Sequence, residues 1–225
     1  MTRPRIAIVH IGKTGGNTLI EALARHYPKD ERAPHIMGPK RPEPESLGSY
    51  RLIAGHFGFD YAVRTGAELV TVLREPVDRI VSLYHFWQQL PEREMVRKMT
   101  LSEFAQSDHH SILIDFANAQ TWQIASEHTL ERRKALRGIS GEELLDLAKK
   151  NLEKFRVVGV TENMPRLARE LRNAFGFDVN LGMKRNKTAS RVHVDDITAS
   201  ERALIEVKTS LDRQLYEYVL SLYDI

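Results

Sequence analysis

The stretch from Ile6 to Leu23, IAIVHIGKTGGNTLIEAL, constrains this chain more than any other. A short apolar run, Arg5 to His10, ends in a turn that carries Gly12, Gly15 and Gly16 around Lys13. Asn17 to His26 then place Leu19, Ile20, Leu23 and Ala24 at helical spacing. A buried strand feeding a glycine-rich turn and a helix is the local layout of a phosphate cradle. The first N–H groups of a helix have no intrahelical partner, and the helix dipole favours an anion there. Glycine lets the backbone approach that anion closely and take positive φ.

The rest of the chain continues the alternation. Leu52 to Gly55 and Glu68 to Arg74 read as a second and a third strand, and Pro76 opens a helix carrying Ile80, Val81, Leu83, Tyr84 and Trp87. Thr100 to Lys154 reads as helical, with capping boxes at Thr100–Glu103 and Ser140–Glu143. Arg156 to Val160 gives a fourth strand and Met164 to Phe175 a helix, and a capping box at Thr198–Glu201 opens the closing helices up to Leu222. Pro28, Pro34, Pro39, Pro42 and Pro44 make the segment from Tyr27 to Ser49 a loop. We therefore expect one α/β domain over residues 1–225, with 27–49 as a loop excursion and 100–154 as a helical insertion. Its fold class is a three-layer, P-loop-like fold with a mainly parallel central sheet flanked by helices. In such sheets ligands bind beyond the carboxyl ends of strands, where both Lys13 and Arg74 fall.

Composition narrows the function classes. There is no cysteine, so disulfides and thiolate metal sites are excluded. The formal net charge of +3 is too small to demand nucleic acid and suits a small anionic ligand. The apolar run before Gly12 is too short for a signal peptide, and no run approaches the ~20 residues of a membrane span. We expect a cytoplasmic protein without nucleic-acid partners.

A nucleoside-triphosphate loop needs G-x-x-x-x-G-K-[ST]. Gly12-Lys13-Thr14 fits its end, but Ala7 occupies the place of the earlier glycine. The strand ELVTVLR also ends in Arg74 instead of an acid able to hold magnesium. VTVLREPVDRIVSLYHFW places Ser82 two turns beyond Arg74, so a guanidinium fork and a hydroxyl are available to a second, separate phosphate.

Strand–KTGGNT–helix followed by strand–R-x-P-x-x-R-x-x-S–helix resembles the sulfotransferases that use 3′-phosphoadenosine 5′-phosphosulfate (PAPS). The likeness extends to the VGVTENM strand and the basic RNKTASR loop. It is strongest to the carbohydrate branch that includes the heparan-sulfate 2-O-sulfotransferases. The resemblance implies that Lys13, Thr14, Gly15, Gly16, Asn17 and Thr18 cradle the 5′-phosphosulfate and that Arg74 and Ser82 hold the 3′-phosphate. It further implies that Arg185 and Lys187 contact the nucleotide from a loop folding over it. A histidine in the place of His56 acts as base in that branch, and the acceptor is a small-molecule or glycan hydroxyl. The product would be 3′,5′-adenosine bisphosphate, with no metal. Two departures stand out: Gly12 where the family usually has proline, and Ala54 where some members have a second histidine.

The chemistry agrees. Sulfuryl transfer requires in-line attack on sulfur and stabilisation of charge on the bridging oxygen that leaves, which a lysine and aimed N–H groups supply. Two other readings stay open, a P-loop kinase or NTPase and a nucleotide-binding module without catalysis. His10 is expected to pack beneath the loop. His85, Phe86 and Trp87, at the end of the Arg74 helix, are candidates to line the acceptor pocket, although helical spacing favours core packing for Trp87. His109 and His110, about 100° apart on a helix, read as solvent-facing instead of a metal pair. Arg79 reads either as a second 3′-phosphate ligand or as a solvent-facing residue. Lys184 and Arg191 belong to the same charge run as Arg185 and Lys187.

Overall fold

Four strands, β1 (Ile6–Val9), β2 (Leu52–Gly55), β3 (Glu68–Leu73) and β4 (Phe155–Val160), form a sheet in the order β2-β1-β3-β4. The structure is a computed structural model that describes residues 3–38, 41–128, 136–182 and 194–222. Every strand pair is parallel, with Val9 opposite Gly55 on one side and Thr71 on the other. The carboxyl ends of β1, β2 and β3 therefore lie abreast. β2 lies on one side of β1 and β3 on the other, so the connections leaving β1 and β3 diverge and open a crevice.

The helices in chain order are α1 (Gly16–Ala24), α2 (Phe59–Arg64), α3 (Pro76–Gln88), α4 (Glu94–Arg97), α5 (Leu101–Gln106) and α6 (His110–Phe116). They continue with α7 (Ala119–Ala125), α8 (Gly141–Leu152), α9 (Met164–Phe175), α10 (Ala199–Lys208) and α11 (Ser210–Ser221). All three expected capping boxes form, at the starts of α5, α8 and α10. Among the described residues no helix is long and apolar enough to cross a membrane.

Alternate residues of β1 serve different layers. Ile6 and Ile8 pack with Leu19 and Leu23 of α1 and Leu167 and Leu171 of α9. Ala7 and Val9 face the opposite layer, where α2, α7, α8 and α11 contribute Ala62, Ile124, Leu145 and Leu215. Burial on both faces is why these strands read as continuous apolar runs without alternation. A third cluster joins α3 to α4, α5, α6 and α10, with Trp87 buried and edge-on to Phe104.

The proline-rich segment borders β2. Bridges pair Arg32 with Leu52 and Ile36 with Gly55, and short 3-10 turns occupy Lys29–Glu31 and Pro44–Leu47. Arg41 fastens its far side with a two-pronged pair to Glu127, at 2.6 and 3.1 Å, and stacks over Tyr61. Both partners are less than a tenth exposed, and Glu127 also accepts the Gly58 N–H. Removing one member of a buried pair leaves the other charge uncompensated. Arg41→Ala should therefore cost about 3 kcal/mol in urea unfolding. Arg64→Ala, which removes an exposed pair with Glu43 and Glu45, should leave the midpoint near wild type.

Candidate active site

The turn between β1 and α1 is fixed through its carbonyl oxygens. The His10 carbonyl accepts from His56 Nδ1 at 2.8 Å and Gln123 Nε2 at 3.1 Å. Ile11 accepts from the Thr14 hydroxyl at 2.9 Å, and Gly12 from Arg79 Nε at 3.1 Å. Lys13 accepts from Arg74 Nη1 at 2.9 Å, and Thr14 from the Thr161 hydroxyl at 2.7 Å. Gly15 accepts the N–H groups of Thr18 and Leu19. Carbonyls from His10 through Gly15 are thus all engaged by the protein, and the first N–H groups of α1, on Gly16 and Asn17, lack intrahelical acceptors.

Handedness completes the cradle. Lys13 is a non-glycine residue with φ +70°, and Gly15 has φ +81°. Alternating hands along a turn curl successive N–H groups toward one point, the geometry of an anion nest. A left-handed lysine costs about 1–2 kcal/mol, and the carbonyl bonds on either side hold it there. A Cβ on Gly15 would lie 2.5 Å from Met164 Cε, and one on Gly16 2.7 Å from His10 Nε2. Gly12 is different: a Cβ there meets nothing within 4 Å, and its φ lies outside the left-handed region. Neither conformation nor packing demands glycine at that position.

Two expected donors are spent inside the turn. Thr14 is fully buried with its hydroxyl on Ile11, so it has only backbone to offer, and the Thr18 N–H is bound to Gly15. Lys13 Nζ lies 4.1 Å from the centroid of Phe86, a ring that is 40% exposed near the end of α3.

Arg74 stands at the end of β3 as expected, with its backbone clamped by the Gln120 amide at 3.0 and 2.9 Å. Its guanidinium bonds Asp78 through Nε at 2.8 Å and through Nη2, besides the Lys13 carbonyl. Asp78 and Ser82, four residues apart, share a face of α3. Arg79 matches neither expectation for it. It is 1% exposed and donates to the carbonyls of Gly12 and Asp115, so it is a strut beneath the turn. Burial pushes its pKa down, and the charge of buried Asp212 opposes that.

Histidines gather at the ends of β1 and β2. His56 donates Nδ1–H to the His10 carbonyl, which leaves Nε2 with the lone pair, the tautomer a proton acceptor needs. Burial, chiefly, lowers its pKa and favours the neutral ring. His10 stacks on His56 with centroids 4.4 Å apart, and His35 stands edge-on to both. Burial, then the charges of His56, His35 and Lys13, push His10 down to about 2. His128 lies 6.1 Å from the His56 centroid, with Nε2 2.8 Å from Asp115 Oδ1. Burial raises the Asp115 pKa, but the His128 bond and nearby positive charge outweigh it and hold the carboxyl below its usual range.

Sequence reasoning missed His35, His128, Asp115, Gln120 and Gln123. Each acts through a tertiary contact with no fixed spacing, and His35 lies inside the proline-rich segment. Arg185 and Lys187, with Lys184 and Arg191, lie outside the described residues. His109 and His110 are exposed as expected, His109 capping α6. The turn geometry makes a direct prediction. Gly16→Ala should lower stability by about 1–3 kcal/mol through the clash with His10, whereas Gly12→Ala should leave the thermal midpoint near wild type.

Comparison with known proteins bears on the fold and the family. A solved sulfotransferase from Alicyclobacillus acidocaldarius shares the fold, with a TM-score of 0.52 at 18% identity over 98% of this chain and 97% of that one. A mouse sulfotransferase complexed with PAP aligns with a TM-score of 0.39 at 15% identity, over 95% of this chain and 66% of that one. No curated protein sequence matches. The model of the sulfotransferase family matches residues 2–224, nearly the whole chain, and this protein belongs to that family.

Proposed function

We propose that the chain transfers a sulfuryl group from PAPS to a hydroxyl of a carbohydrate-like acceptor. The observation that carries this reading is the turn whose carbonyls, from His10 to Gly15, are all engaged by the protein beside Lys13 and His56. Such a turn can meet an anion only with N–H groups. The bound donor supplies an activated sulfuryl group on its 5′-phosphate. Lys13 and the N–H groups of Gly15, Gly16 and Asn17 balance the charge that collects on that phosphate as the bridging S–O bond breaks. Nε2 of His56 takes the acceptor proton as the new O–S bond forms. The acceptor reading draws support from the polar cluster of His35, His56 and His128, which suits a polyhydroxyl ligand.

Arg74 and Ser82 are the proposed ligands of the 3′-phosphate. Asp78 shares the guanidinium, so a phosphate there must compete with a carboxylate, which favours a dianionic group over a neutral one. Arg185 and Lys187 remain in this proposal as contacts to the nucleotide. The strand end that would need an acid for magnesium carries Arg74, which weighs against the triphosphate reading.

Calorimetry separates the alternatives. The protein should bind 3′,5′-adenosine bisphosphate and discriminate against both 5′-AMP and ATP with magnesium. Tighter binding of ATP, indifferent to a 3′-phosphate, would overturn the donor assignment. With donor and acceptor present, Lys13→Ala should reduce kcat by roughly 100–1000-fold.

A further inference from the structure

The cluster at the ends of β1 and β2 holds more histidine than one proton acceptor requires. One ring nitrogen from each of His10, His35 and His56 lies within 4.8 Å of the other two. His10 Nδ1 and His35 Nε2 are 3.1 Å apart. At a zinc–nitrogen distance of about 2.0–2.1 Å, two ligands on a tetrahedral ion stand about 3.3 Å from each other. The first pair is therefore already at ligand spacing, and the third nitrogen needs to move by no more than about 1.5 Å. The ring centroids lie 4.4, 5.2 and 5.4 Å apart, with His35 edge-on to the other two, and the stacked His10 and His56 rings must turn for both lone pairs to meet at one ion.

The surroundings suit an ion as well as the spacing does. The bond from His56 Nδ1–H to the His10 carbonyl fixes a tautomer that presents Nε2, as partners behind metal-bound histidines do. The hydrogen between His10 and His35 can move to the far nitrogen of its own ring, which leaves both rings neutral and ready to ligate. Burial acts in the same direction on all three rings. His10 is buried, His56 half-buried and His35 exposed, so an ion reaches the cluster from the His35 side. Lys13 opposes a cation there, and Asp115 attracts one.

We propose that His10, His35 and His56 form a site for a divalent transition-metal ion of the zinc class, with a fourth position open toward solvent. Three neutral imidazoles select zinc or cobalt over magnesium or calcium, which prefer oxygen ligands. A bound ion occupies the lone pair on His56 and so stops proton transfer. That second statement rests on the base role proposed above; the binding site does not.

Cobalt chloride titrated into the full chain is the test, read by visible absorption. One equivalent should produce intense tetrahedral bands that zinc abolishes, and zinc should raise the thermal midpoint. His35→Ala should lose both effects, while His109→Ala, at the exposed pair, should keep them. The absence of bands in the wild type, or their persistence in a folded His35→Ala protein, would overturn the site. Zinc should also lower sulfuryl transfer by roughly 100-fold in the wild type and far less in His35→Ala. If the bands behave as expected but zinc leaves transfer unchanged, the site stands and the base role of His56 falls.

Discussion

The carbonyls from His10 to Gly15 are all anchored within the protein, and the arrangement of the turn and its neighbours follows from that anchoring. Peptide groups have two polar ends, and a turn that must face an anion has to turn its oxygens away from it. Here the donors that hold those oxygens come from every side of the sheet. His56 follows β2, Arg74 follows β3, Thr161 follows β4, Arg79 rises from α3 and Gln123 from α7. The turn is therefore a product of the whole fold, even though its sequence is local. Arg79 illustrates the cost of such a device. A buried guanidinium is expensive, and two carbonyls together with the field of Asp212 offset that expense.

The same network joins the two halves of the proposed chemistry. The His10 carbonyl is both part of the turn and the acceptor that sets the His56 tautomer. Gln123 ties that carbonyl to the carbonyl of Phe57, so the ends of β1 and β2 are bound by one amide. Gly16 allows the His10 ring to lie against the start of α1, where any side chain would displace it. The proposed cradle for the leaving group and the proposed proton acceptor are thus held in fixed relation. Proximity of that kind is worth several kcal/mol in a displacement reaction.

Much of this was legible in the sequence. The four strands, the helix opened by Pro76 and the three capping boxes each rest on short-range patterns, and all appear where expected within a residue or so. The glycine turn and Arg74 were placed at strand ends by the same reasoning. What stayed hidden depended on long-range contacts. Arg79 carries a charge on a helix and gives no sign in its spacing of being buried. Thr14 reads as a hydroxyl for a ligand until its bond to Ile11 is seen. His35 becomes part of the site only because Ile36 pairs with Gly55 and draws the proline-rich segment along β2. Gly12 is the opposite case, a departure from the family's pattern that neither backbone conformation nor packing requires.

In the proposed reaction the turn and the histidine beside it act on one sulfuryl group. The most direct measurement follows radiolabelled sulfate from PAPS into a panel of hydroxyl acceptors. The label should move to an acceptor with the wild-type protein and stay on the nucleotide with His56→Ala, although that variant still binds 3′,5′-adenosine bisphosphate. Undiminished transfer by His56→Ala, or failure of the wild type to label any acceptor while binding the nucleotide tightly, would contradict it.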